Sequence, residues 1–349
     1  MNRNFFLLSS FLIAATSVVG IFYLFPLEGV IDQIGPLVFL KNSLVRKNEQ
    51  SISLIAVGDV MLSRTVARKM KAKNDINYPF LKIQDYLKSV DLVFGNLEGP
   101  ITKGRDIEAD EMIFRGDPGV EVALKNAGFS VVSLANNHTP DFSRTGIHDT
   151  LSLLDAADIL HTGAGMNETD AYEPAFIDKL GIRFAILAYN DTDVAPPHYA
   201  ASESRAGTAF MDIERMKQSV HAAGEKADIV IVSMHSGNEY TLHPNRRQKE
   251  FAHAAIDAGA DLVIGHHPHV VQSAEKYKDK YIFYSLGNFV FDQMWSRETR
   301  EGLALKIFFD KNGVTKIEPS AIIIEDFSQP RMADEKEKEI IFQRLGISF

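Results

Sequence analysis

Cysteine is absent from this sequence of 349 residues. Disulfides, thiolate metal sites and a cysteine nucleophile are therefore excluded, and any metal must be held by imidazole and oxygen. Basic residues are in deficit: 37 lysines and arginines stand against 46 aspartates and glutamates, a formal net charge of −9. A surface of that sign repels phosphate backbones, so no nucleic acid is expected as a partner. There is no internal repeat. Charge is missing altogether from Phe5 to Phe25, a stretch long enough to cross a bilayer as a helix.

That stretch sets the first expectation about the chain. Ala14-Ala15-Thr16-Ser17 resembles a signal cleavage site, but the apolar run continues through Val18, Val19, Ile21, Phe22 and Leu24. An uncleaved transmembrane signal-anchor over residues 1–26 is the favoured reading, with a cleaved signal peptide as the alternative. Arg3 lies on one side of it and Lys41, Arg46 and Lys47 on the other. The default orientation puts the N-terminus in the cytoplasm and the domain outside. The expected location is then the cell membrane, single-pass, with the membrane as a partner. Residues 27–50 read as a stem, 51–325 as one large domain, and 326–349 as a charged tail with a solvated helix near Asp334 to Glu339.

Within 51–325, short apolar runs alternate with helical patterns. Ile52–Val57, Asp91–Phe94, Ser130–Leu134, Ile229–Met234 and Asp261–Ile264 read as buried strands. Helices are expected over Thr65–Lys73, from Asp117-Pro118 to Asn126, and over Arg144–Ile159, Met211–Gly224 and Asn245–Ala258. Lys311-Asn312-Gly313 signals a hairpin. The fold class expected from this alternation is α/β, with sites at the strand ends.

Five of the strands end in the same chemistry: Asp59, Glu98, Asn137-His138, His235, and His267 with His269. A single such ending is more often a loop residue or a helix cap. Five together read as a site. Its centre is Leu262 to Gln272, where an apolar run meets Gly265-His266-His267-Pro268-His269. Gly265 is expected to let the backbone turn, and Pro268 to keep His267 extended. His267 and His269 would then lean toward one point, as i and i+2 side chains do. A histidine-rich surface loop is the plainer alternative. Oxygen and imidazole donors suit Zn, Mn, Fe or Ni better than Ca or Mg. Glu98, with two oxygens, could bridge two ions, and such a pair can activate water and clamp the leaving oxygen of a phosphoester. His138 follows an asparagine already spent on metal, so it is expected to point elsewhere and act as general acid.

Gly58-Asp59-Val60-Met61, Asn96-Leu97-Glu98-Gly99-Pro100, Ala135-Asn136-Asn137-His138, His235-Ser236-Gly237, His267-Pro268-His269-Val270-Val271-Gln272 and Tyr284-Ser285-Leu286-Gly287-Asn288-Phe289 form an ordered set over residues 51–324. Together they resemble the CapA-type capsule-synthesis proteins, a family associated with poly-γ-glutamate capsules and related to the calcineurin-like metallophosphoesterases. The resemblance implies a four-layer α-β-β-α metallophosphatase-like sandwich, here with an N-terminal transmembrane helix. It implies one metal position made by Glu98, Asn137, His235 and His267, and another by Asp59, Glu98 and His269. Met61 stands where that second position would have a further histidine. His138 matches the catalytic histidine, and Asn96, Asn136, Asp141 and Asn288 are expected to line the site. The implied cofactor is one or two divalent transition-metal ions, Mn, Zn or Fe. The implied function is that of a membrane-anchored extracytoplasmic protein of capsule-polymer biosynthesis or export, partnered by the polymer or its synthesis complex. The alternative is a metal-dependent phosphoester or amide hydrolase of another cell-envelope substrate. Whether the protein is an enzyme at all is left open.

Overall fold

The strand ends that carry the candidate ligands converge because two sheets are stacked face to face. The computed structural model describes residues 51–347. In chain order the strands are β1 (Ile52–Val60), β2 (Leu92–Leu97), β3 (Val131–Ser133), β4 (Leu160–Thr162), β5 (Ala164–Gly165), β6 (Ala175–Lys179), β7 (Ile182–Asn190), β8 (Gly207–Thr208), β9 (Ile229–His235), β10 (Leu262–His266), β11 (Ala274–Tyr277), β12 (Lys280–Phe283), β13 (Asn288–Val290), β14 (Glu301–Asp310), β15 (Gly313–Glu325) and β16 (Gln329–Met332). One sheet runs β16-β15-β14-β1-β2-β3-β4, with β13 also paired to β1, and the other runs β11-β12-β10-β9-β7-β6. β1, β2, β3 and β4 are parallel to one another, as are β7, β9, β10 and β12.

Side-chain parity builds the layers. Leu54, Ala56 and Phe94 of the first sheet meet Ile186, Ile231, Leu262 and Ile264 of the second in one buried cluster between the sheets. Residues of the opposite parity, Ile55, Val57 and Val93, pack outward against α1 (Arg64–Lys73), α2 (Gln84–Leu87), α3 (Val120–Ala127) and α4 (Ser143–Ala156). Val230, Val232 and Val263 pack the other way, against α6 (Ile213–Gly224) and α7 (Arg246–Asp257), with the single turn α5 (Glu168–Ala171) at their edge. The order helix, sheet, sheet, helix follows from strands that are apolar on both faces.

Several expectations change. Among the described residues no helix is long and apolar enough to cross a membrane, so the fold class is corrected to the sandwich alone. Phe5 to Phe25, on which the anchor was placed, lies outside the described residues. The single-pass membrane location, the membrane partner and the membrane-anchored function all depended on that helix, and none is carried further. The charged segment near the C-terminus is the expected helix, exposed or half-buried from Asp334 to Glu339, but it is anchored by its apolar end. It forms α8 (Glu335–Gln343), whose Ile341, with Leu345 beyond, is buried in the inter-sheet core. The helix after Asp117-Pro118 begins later, at Val120, with Gly119 as its cap.

Gly265 is not a turn residue. It lies inside β10, and a Cβ there would sit 1.9 Å from the carbonyl oxygen of Tyr284. A Cβ on Gly58 would sit 1.9 Å from the carbonyl oxygen of Gly287. The two glycines thus let segment 284–288 cross both sheets closely enough to bring Asn288 opposite Asp59. Gly265→Ala forces backbone against backbone, where no side chain can yield. A loss of roughly 2–4 kcal/mol is expected from such overpacking. An unchanged urea midpoint for this variant would contradict the close approach.

Candidate metal centre

The site is set by strand register. Asp59 stands opposite Asn96 across β1 and β2 and opposite Asn288 across β1 and β13. His235 and His266 are partners across β9 and β10. Asp59, Asn96, His235 and His266 lie at the C-terminal ends of parallel strands, where such sheets present their loops, and Asn288 opens β13. Asp59 and Glu98 are both buried. Asn96 Nδ2 donates to Asp59 Oδ1 at 2.8 Å and lies 3.4 Å from Glu98 Oε2. Asn136 Nδ2 in turn donates to Asn96 Oδ1 at 3.1 Å, which fixes which end of Asn96 faces the carboxylates. Asn136 Oδ1 accepts from the backbone N–H of His138 and Thr139, so it also shapes the turn that delivers His138.

The histidines arrive with their tautomers assigned by their neighbours. Asn288 spends its amide N–H groups on Gln293 Oε1 at 3.0 Å and the Thr299 carbonyl at 2.9 Å. Its oxygen is left to accept from His269 Nδ1 at 3.0 Å. His269 Nε2 is then the ring atom with a free lone pair, and it faces Glu98 Oε1 at 3.8 Å. His138 follows the same logic. Its Nδ1 donates to Asp141 Oδ2 at 2.9 Å, and its Nε2 faces Glu98 Oε1 at 4.0 Å. Asp141 Oδ2 is itself anchored by the Phe114 N–H at 2.7 Å. Phe114 stacks on the His138 ring at 3.8 Å and carries the Arg64 guanidinium on its ring at 4.7 Å. Asn137 Oδ1 lies 2.8 Å from His235 Nε2, which is 3.1 Å from His267 Nδ1.

Two clusters of ligand atoms result. Asp59, Glu98 and His235 form one, and Glu239, His267 and His269 the other, with the atoms of each within 4.8 Å of one another. The grouping differs from the one that the resemblance implied. Glu239 was absent from it; His138, which the resemblance gives as the catalytic histidine and not as a ligand, lies in neither cluster. Met61 is buried in the outer core, and its sulfur accepts from the Ser63 N–H at 3.0 Å. Glu239 enters instead from the loop after β9, tied in by the Tyr240 N–H donating to the Pro268 carbonyl at 2.8 Å. His266 was also passed over. It is fully buried on the inner face of β10, with Nδ1 3.3 Å from Asp59 Oδ1.

Backbone geometry brings His267 and His269 together, though not as expected. The segment is not extended: His267 has φ of 95° and His269 φ of 57°. Left-handed backbone at two non-glycine residues is costly and persists where the surroundings enforce it. The His267 N–H, turned inward, lies 3.3 Å from Asp59 Oδ2.

The charge states suit a cation. Burial raises the Asp59 carboxyl, but His266, His269 and Asn96 beside it outweigh burial and hold it below the usual range. Burial, then Asp59 and Glu239, pushes Glu98 well above the ordinary carboxylate range. Burial, then the neighbouring imidazole of His267, holds His235 far below an ordinary histidine. Burial and His269 bring His267 down to about 3. Neutral imidazoles beside crowded carboxylates are what a divalent ion needs as ligands. The buried Glu98 Oε1 has no hydrogen-bond partner, and neither ring nitrogen of His266 has one. An orphaned carboxylate oxygen faced by imidazole nitrogens fits a transition-metal ion of the nitrogen- and oxygen-binding kind.

The chain is similar to known proteins along most of its length. The family described as "Bacterial capsule synthesis protein PGA_cap" matches residues 53–293. "Capsule biosynthesis protein CapA" of Bacillus anthracis is 35% identical over 308 residues, covering 86% of this chain and 74% of that protein. "PGA biosynthesis protein CapA" of Bacillus subtilis (strain 168) is 35% identical over 303 residues, covering 85% and 78%. Among solved structures, the calcineurin-like phosphoesterase YfkN from Bacillus subtilis matches with a TM-score of 0.45 at 12% identity, over 84% of this chain and 96% of that one. With the family profile spanning most of the described domain and the CapA relatives aligned along most of their length, this chain belongs to the PGA_cap family of bacterial capsule-synthesis proteins.

Proposed function

We propose that this chain is a metal-dependent hydrolase of a phosphoester or amide bond. Its relatives' names, capsule biosynthesis and PGA biosynthesis, point to a capsule-type polymer as the substrate class. One observation carries the reading: Glu98 Oε1, buried and unpartnered, is faced by Nε2 of His269 at 3.8 Å and Nε2 of His138 at 4.0 Å. A structural metal site has no need of a second, differently supported imidazole over Glu98.

Asp59, Glu98 and His235 would hold one ion, and Glu239, His267 and His269 a second, drawn from Mn, Zn or Fe. A divalent cation bound there polarises the phosphoryl or carbonyl oxygen and acidifies water. The chain's own residues do the rest. Asp141 fixes the His138 ring so that Nε2, and not Nδ1, faces the scissile bond. His138 delivers a proton from Nε2 to the leaving group. Phe114 covers one face of that ring and keeps water from it. The buried Arg64 guanidinium, paired with Asp292, adds fixed positive potential behind Phe114.

The test is turnover by the metal-stripped full-length chain, titrated with Mn²⁺, Zn²⁺ or Fe²⁺, on an aryl phosphate diester and on a γ-glutamyl anilide. Metal-dependent turnover of one of them is expected. His267→Ala should lose both metal and turnover. His253→Ala should keep both, because His253 lies elsewhere, 3.0 Å from Glu275 and stacked on Tyr277. Absence of metal-dependent turnover on both compounds, or equal metal content in the two variants, would defeat the reading.

A further inference from the structure

We propose that the cavity beside Asp141, lined by Arg144, Arg205 and His198, is a subsite for an anionic group of the substrate, a carboxylate or a phosphate carried beyond the bond that is cut. Calling the ligand a substrate rests on the hydrolase reading; the binding of the anion does not. The cavity has a volume of about 400 Å³ and is walled by Asp141, Arg144, His198, Tyr199 and Arg205.

Its arginines are exceptional in this chain. Among the described residues every arginine but Arg144, Arg205 and Arg300 lies within 4 Å of a carboxylate of the protein. In a chain of net charge −9, a guanidinium finds an internal partner easily. Two of the three that have none among the described residues line this one cavity. Guanidinium offers paired donors that match a carboxylate or a phosphate. Arg205 is held in place by its Nε donating to the Ala200 carbonyl at 3.0 Å, which leaves its terminal nitrogens free to bind.

The surrounding groups leave the positive charge uncancelled. Arg144 sits in the first turn of α4, which has no acidic residue, and Phe142 at its cap position makes no side-chain capping bond. The field of that helix end adds to the guanidinium charge. Asp141 is the one acidic side chain of the wall, and it is already engaged, by His138 Nδ1 at 2.9 Å and the Phe114 N–H at 2.7 Å.

Position gives the cavity its role. The carboxylate that orients His138 is also the cavity wall, so an anion beside Arg144 lies one side chain away from the proton donor. A substrate with its scissile bond over Glu98 and a charged group one unit along would place that group here. A polymer carrying an anion on every unit satisfies this wherever it is cut.

The experiment measures binding by calorimetry to the metal-stripped full-length chain. The probes are a short γ-linked glutamate oligomer and inorganic phosphate. The proteins are wild type, the double variant Arg144→Ala/Arg205→Ala, its counterpart Arg144→Lys/Arg205→Lys, and His253→Ala. Wild type should bind at least one probe, and the double alanine variant should bind it about 10–100-fold more weakly. The lysine variant should recover part of the loss, and His253→Ala, which lies away from the cavity, should bind as wild type does. A loss confined to the oligomer assigns the subsite to carboxylates, and a loss confined to phosphate assigns it to a phosphoryl group. Equal affinity in wild type and the double alanine variant overturns the proposal, as does no binding of either probe by wild type. The two readings separate cleanly. Weakened binding in a protein with no turnover keeps the subsite and removes the hydrolase. Full turnover of the oligomer with unchanged KM in the double alanine variant keeps the hydrolase and removes the subsite.

Discussion

Glu98→Gln is expected to leave the chain folded while emptying it of metal and abolishing turnover. Glu98 is buried, and burial together with Asp59 and Glu239 holds its carboxyl well above the ordinary range. Without a cation the side chain is therefore protonated at pH values where a free glutamate is ionised. A neutral glutamine has nearly the same shape and polarity, so the metal-free fold loses little. The sign of the pH dependence follows. A carboxyl whose pKa is raised on folding stabilises the native state fully at low pH, and that contribution is lost as pH rises through the raised pKa. The contribution of this carboxyl to metal-free wild type should therefore fade as pH climbs above about 4.5, against the opposite trend of the lowered His235 and His267. Glu98→Gln should lack it, so the stability difference between wild type and variant should fall with rising pH. Metal reverses the cost, because a divalent ion takes the deprotonated form and expels the proton. Calorimetric titration of wild type with Mn²⁺ in buffers of different ionisation enthalpy should show proton release. Glu98→Gln should show no binding, and metal analysis should return background. Metal content equal to wild type would sink the assignment. So would a metal-free variant much less stable than metal-free wild type, because Glu98 would then be a structural residue.

How much of this was legible depended on whether a residue's place was set locally or by distant chain. Asp59, Glu98 and His235 each close or follow an apolar run, and each lies at the end of a strand or just beyond it. His266 was equally accessible in principle. It shares the parity of Leu262 and Ile264, both in the inter-sheet core, and a count by twos along β10 puts it between the sheets beside Asp59. The spacing of His267 and His269 around Pro268 points instead to an extended loop. Their actual convergence uses left-handed backbone at both positions, which no propensity predicts. Glu239 lies four residues beyond β9, past Gly237 with φ of 115°, and is placed by the contact of Tyr240 with Pro268. That contact joins loops that are adjacent only once the sheet is formed. Gly265 illustrates the same limit: the carbonyl that demands a glycine there belongs to Tyr284. The α/β class, in contrast, could be read from the alternation of runs, because both faces of each central strand are buried, whereas the stacking of two sheets was implied by the family resemblance.

His138→Ala is expected to keep the metal and lose most of the rate. His138 stands outside both clusters of ligand atoms, so its removal takes no donor from either. What disappears is the imidazole that Asp141 and Phe114 hold toward Glu98. General acid catalysis is worth about 10²–10⁴-fold, and the loss should fall in that range for an alkyl leaving group. The dependence on the leaving group is the sharper test. A nitrophenolate departs with little help from a proton, so His138→Ala should be only mildly impaired on an activated aryl ester. An alkoxide or an amine cannot depart that way, and the deficit should widen as the leaving group becomes more basic. A residue that merely supported the fold would slow all substrates alike and would lower metal content or melting temperature as well. Asp141→Asn separates the two further. It keeps the volume of the wall but removes the carboxylate that accepts from Nδ1, so the ring can present the wrong tautomer to the site. It should share the leaving-group dependence of His138→Ala in weaker form and keep its metal. Equal slowing of activated and unactivated substrates by His138→Ala, or loss of metal with the imidazole, would move His138 from proton donor to ligand or scaffold.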